Sequence, residues 1–108
     1  MKQENISEFM HVFNELQKVV AAQLKEDPDT NFGSLIYAAE EKQDKVVLTY
    51  RSQLDLYRRF RNILVHSTIN ENESIADPSQ SLIDEMKQIL EKIKHPKTVS
   101  DLFLEKVI

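Results

Sequence analysis

Arg61, Asn62 and His66 have the residue types and spacing to handle a phosphodiester. Arg61 brings a planar guanidinium that stays charged and can grip a phosphate through two parallel hydrogen bonds. His66 brings an imidazole that titrates near neutrality, so it can serve as base or acid. Asn62 brings an amide able to orient the imidazole or a phosphate oxygen. Breaking RNA without a metal ion needs a base for the 2′-hydroxyl, an acid for the leaving oxygen and a cation for the charge gathering on the phosphorane. One chain offers one His at this motif and a symmetric dimer offers two, so pairing of two chains would complete the acid–base set.

A helix must position these groups. At about 100° per residue, a helix from Asp44 onward places Val46, Tyr50, Leu54, Tyr57, Phe60 and Leu64 along one apolar stripe. Arg61 falls inside that stripe, between the directions of Tyr57 and Leu54, where a charge needs an anionic or hydrogen-bonding partner. Asn62 and His66 share the neighbouring polar face with Arg58. From Lys45 to His66 the charges are Lys45, Arg51, Arg58, Arg59 and Arg61 against Asp55 alone, so the segment is basic within a chain of net charge -4. Arg51, Arg58 and Arg59 are candidate RNA contacts; the alternative is that they are solvated surface charges of little energetic weight. The motif admits a structural use too: Arg61 pairing with Asp55 or Glu41 to fix helix packing, and His66 serving as a cation at a helix end.

Arg61-Asn62-Ile63-Leu64-Val65-His66 resembles the Arg-polar-x-x-x-His signature of HEPN domains (higher eukaryotes and prokaryotes nucleotide-binding), a helical family. Arg61, Asn62 and His66 occupy its three positions, while Thr68 stands where some toxin-like members carry Tyr. The resemblance implies an all-α, four-helix bundle and a homodimer bringing two motifs to a two-fold cleft. It also implies metal-independent endoribonuclease activity with Arg61, Asn62 and His66 as catalytic residues. Other members of the family are non-catalytic dimerising modules that bind nucleotide or RNA, and both readings stay open at this point.

The rest of the chain reads as helices with short joints. Asn5 or Ser7 is expected to cap a first helix carrying Ile6, Phe9, Phe13, Leu16 and Val20, stopped at Asp27-Pro28-Asp29. His11 and Glu15 share a face, but no second ligand pair accompanies them, so no metal site is expected. Asn31-Phe32-Gly33-Ser34 reads as a tight turn, with Gly33 free to take a positive φ and Ser34 capping a second helix through about Lys42. Gln43-Asp44 is a joint, Asp44 capping the third helix. After His66 a polar, acidic tract follows. Asp77-Pro78 then starts a fourth amphipathic helix carrying Leu82, Met86, Ile89 and Ile93, which His95-Pro96 ends.

The chain is 108 residues with one Gly, no Cys and no Trp, a composition suited to one helical domain. It lacks disulfides, thiol nucleophiles, Gly-rich phosphate loops and aromatic stacking platforms for single strands. No membrane span or signal peptide is read, no cofactor is expected, and the cytoplasm is the expected address. The domain is read as residues 1–96, followed by a C-terminal segment, 97–108, with a short helical stretch. Val99, Leu102, Phe103, Val107 and Ile108 make that segment apolar. It resembles the lead-in to a CBS (cystathionine β-synthase-type) domain pair, which implies a fused or associated ligand-sensing domain.

Overall fold

Apolar residues spaced three and four apart from Phe9 to Leu24 form the side of one long helix, and the remaining elements close over it. The computed structural model describes residues 2–70 and 78–95, with side chains at 5–65 and 78–95. Among these residues the chain is helical, with no strand: α1 (Lys2–Leu24), α2 (Phe32–Lys42), α3 (Lys45–Leu48), α4 (Arg51–Asn70) and α5 (Gln80–Lys94). The acidic tract after Asn70, Asp77 and the apolar tail fall outside the described residues.

The centre of the core is α1. It packs most extensively on α5 and also meets α2 and α4. Phe9, Phe13, Leu16, Val20 and Leu24 are buried against Leu35, Leu54, Tyr57, Ile83, Met86 and Ile93. Phe9 and Phe13 stack with centroids 6.1 Å apart, and each takes a second ring, Phe60 at 5.3 Å for Phe9 and Phe32 at 4.8 Å for Phe13. Rings at such spacings contribute beyond the area they bury. They tie the first turn of α2 and the middle of α4 to the same face of α1.

Helix ends are where structure and sequence reading diverge. Asn5 lies inside α1, and its amide donates to the Pro78 carbonyl at 3.0 Å, joining α1 to the lead-in of α5. The cap of α2 is Asn31 rather than Ser34: its side chain accepts from the Ser34 N–H at 2.9 Å. Gly33 therefore sits in the first turn of α2, with no positive φ. Among the described residues the left-handed positions are Lys25 (φ 59°) and Gln43 (φ 51°), each just past a helix. At both, the following N–H reaches back to a carbonyl five residues earlier, Glu26 to Ala21 at 2.8 Å and Asp44 to Ala39 at 3.0 Å. This closure satisfies the last carbonyls of the helix and normally favours glycine.

Asp44 caps α3 as its sequence suggests, accepting from the Val47 N–H at 3.0 Å. The helix does not run unbroken to the motif. Thr49 Oγ1 donates to the Lys45 carbonyl at 2.6 Å, and the Tyr50 N–H bonds to Val47, three residues back. A hydroxyl competing for a helical carbonyl next to a β-branched pair tightens the turn. The helix restarts at Arg51, making five helices where four were read. The cap of α5 is Ser79, accepting from the Leu82 N–H at 3.1 Å, with buried Pro78 ahead of it.

Candidate functional site

Arg61 projects from the apolar stripe of α4 toward Phe13 of α1, its guanidinium carbon 6.0 Å from the ring centroid. Its Nε is buried and has no hydrogen-bond partner among the described residues. Neither carboxylate suggested by the sequence reaches it. Asp55 is taken by its own helix, accepting from Arg58 Nη2 at 2.8 Å and Arg59 Nη2 at 2.9 Å. The Arg58 hydrogen bond holds the Asp55 carboxyl below the usual carboxylate range, outweighing partial burial, with the Arg59 charge acting in the same direction. Glu41 is exposed and makes no ion pair among the described residues. A buried N–H of a fixed cation without an acceptor is costly to leave unmade and needs an explanation.

The guanidinium lines a cavity of about 280 Å³ where α1, α2 and α4 meet. Arg58, Arg61 and Asn62 form the α4 wall, with Phe13 and Gln17 from α1. Asp29 and Asn31 from the α1–α2 connection, followed by Phe32 and Gly33, complete it. The structure thus brings Arg61 and Asn62 together at one cavity. His66 follows Asn62 by one helical turn in α4, and its side chain lies outside the described residues.

The other candidate cations divide. Arg58 stands at the cavity while bonded to Asp55. Arg59 shares Asp55 on a more exposed side, and Arg51 bonds to Glu40 of α2 at 2.6 Å. All three engage carboxylates as surface ion pairs. Among the described residues no three His, Asp or Glu side chains converge as metal ligands, and no helix is long and apolar enough to cross a membrane.

The far wall was not legible in the sequence. Gln17 donates to the Thr30 carbonyl at 2.7 Å, and the Asp29 N–H bonds to the Asp27 carboxylate at 2.8 Å, so the connection is tied down. Gly33 needs no special backbone there. A methyl in its place would meet Asn31 Oδ1 at 3.5 Å and Arg58 Cδ at 3.9 Å, ordinary contacts that a side chain there would tolerate. The first turn of α2 faces the same space, adding the positive end of an 11-residue helix to the guanidinium. Comparison with known protein families, characterised proteins and solved structures finds no match for this chain.

Proposed function

We propose that this chain is an HEPN-like helical domain that holds an RNA phosphate on Arg61 and Asn62. Two chains pair so that both motifs face one cleft, and the RNA is cleaved there without a metal, His66 moving the proton. The observation carrying this reading is the buried, acceptor-less Nε of Arg61 beside Asn62 at an open cavity. A phosphate in the cavity neutralises the guanidinium through the part of the Arg61 side chain that is not buried.

The ion pairs of Arg51, Arg58 and Arg59 favour a second reading. With those cations engaged, the track for a long RNA is thin. The domain is then a non-catalytic dimerising module that takes a nucleotide or short RNA at Arg61, in keeping with a fused or associated ligand-sensing domain.

One experiment separates the two. The purified chain is incubated with single-stranded RNA in EDTA. Cleavage should leave 2′,3′-cyclic phosphate ends and vanish in His66→Ala. Cutting that EDTA stops, or that His66→Ala retains, overturns the nuclease mechanism. Arg61-dependent binding without cutting selects the binding module. A monomer at high concentration by light scattering removes the shared cleft.

A further inference from the structure

The cavity beside Arg61 has two chemically different walls. On the α4 side stand Arg58, Arg61 and Asn62, and on the opposite side Asp29, Asn31 and Gln17. The hydrogen bonds already made leave particular atoms over. Gln17 spends its Nε2 on Thr30, so its Oε1 acceptor remains. Asn31 spends its Oδ1 on Ser34, so its amide donors remain. Asp29 contributes its backbone N–H to Asp27, and its carboxylate has no partner among the described residues.

Asp29 makes no ion pair with Arg58 or Arg61, although all three line the same space. Asp29 is an exposed turn residue whose backbone N–H, not its carboxylate, is held by Asp27, while the Arg61 guanidinium rests on the Phe13 ring. What fits between them is anionic at one end and a hydrogen-bond donor at the other.

We propose that the cavity binds a guanine nucleotide, its phosphate on Arg61 and Asn62 and its base against the Asp29 carboxylate. This inference rests on the phosphate reading of Arg61 and adds the identity of the base. A carboxylate accepts only, and guanine alone among the four RNA bases offers it two adjacent donors, the ring N1–H and the exocyclic amino group. Adenine and cytosine offer an amino group beside a ring acceptor, which the carboxylate repels. Uracil offers one N–H between two carbonyls. The Asn31 amide and the Gln17 carbonyl are the remaining acceptor-reading and donor-reading groups of the same wall. The cavity volume, about 280 Å³, lies just below the range of roughly 300–1,000 Å³ for ligand pockets, so at most one nucleotide unit is held there and the rest of a chain lies outside. On RNA, the guanosine is the nucleotide whose phosphate rests on Arg61.

Calorimetric titration of the full chain with GMP, AMP, CMP, UMP and inorganic phosphate tests this. GMP should bind about tenfold more tightly than the other three nucleotides, the discrimination typical of one bidentate base contact. Asp29→Asn should bring the GMP-to-AMP ratio close to one, and Asp29→Ala should do the same. Asp29 is an exposed turn residue, so an unchanged helical circular dichroism spectrum establishes that each variant is folded. Equal binding of all four nucleotides and phosphate overturns the base assignment and leaves the phosphate site standing. Preference for GMP that survives both Asp29 variants overturns it as well. No binding of phosphate or of any nucleotide removes both the base assignment and the phosphate site beneath it.

Discussion

Replacing Arg61 by Met should make the folded chain more stable while removing its ligand. In the parent the Nε is buried without an acceptor, beside the Phe13 ring. A buried donor left unpaired costs about 1–3 kcal/mol. Met retains an unbranched stem over the ring and makes a favourable sulfur–aromatic contact. What is lost is a cation–ring attraction of about 0.5–1 kcal/mol at partly exposed sites. The balance favours the variant by about 1 kcal/mol, which moves the midpoint of a domain this size by roughly 4–8 °C. Thermal unfolding followed by circular dichroism in phosphate-free buffer reads the shift. Added phosphate should then raise the midpoint of the parent alone, because ligands stabilise only the form that binds them. A variant melting more than about 4 °C below the parent would mean that the guanidinium holds the helices together. The reasoning from an unmade hydrogen bond would then be wrong.

Three further outcomes follow from the packing. Tyr57 is fully buried, with burial first and the Glu85 hydrogen bond second pushing its hydroxyl far above the usual phenol range, so it stays protonated as a donor to Glu85. Tyr57→Phe should lower urea stability by about 1–2 kcal/mol, at the low end for a bond to a charged acceptor because Glu85 remains wet; no loss would show that the bond is energetically idle. Gln43→Gly should stabilise by about 0.5–1 kcal/mol by relieving a left-handed residue, and a lower melting point would refute the assigned cap. The depressed Asp55 carboxyl binds fewer protons folded than unfolded in acid. Its contribution is complete above the ordinary carboxylate range and disappears as pH falls from about 5 toward 2, a slope that Asp55→Asn should flatten in acid melts.

The interior of the bundle was readable from spacing alone. Phe9, Phe13, Leu16 and Val20 recur at helical intervals and are buried, as are Leu54, Tyr57 and Leu64 on α4 and Met86, Ile89 and Ile93 on α5. Arg61 stood out because hydrocarbon belongs at its position, and in the structure its Nε is buried. Ends of helices were harder to read. Ser34, Asn31, Asp77 and Ser79 are all competent caps, and the choice among neighbours depends on where tertiary contacts hold the chain. Lys25 and Gln43 occupy positions where glycine is expected, so composition pointed to Gly33, which is helical. Charge partners were local choices too. Asp55 lies three and four residues from Arg58 and Arg59, and they reach it on the outer face of α4, out of reach of the inward-pointing Arg61. Gln17, Asp29 and Asn31 gave no signal, because they meet the α4 motif only through folding of α2 onto α1.

The central assignment is that the Arg61 side chain is the phosphate anchor. A proton–nitrogen correlation spectrum of the arginine side chains, recorded while a short single-stranded RNA is titrated in, observes that group itself. The Nε–H signal of Arg61 and the side-chain amide of Asn62 should move together and saturate with the RNA. Movement confined to Arg51 and Arg59, with Arg61 unaltered at saturation, would place the RNA on the outer surface and contradict the assignment.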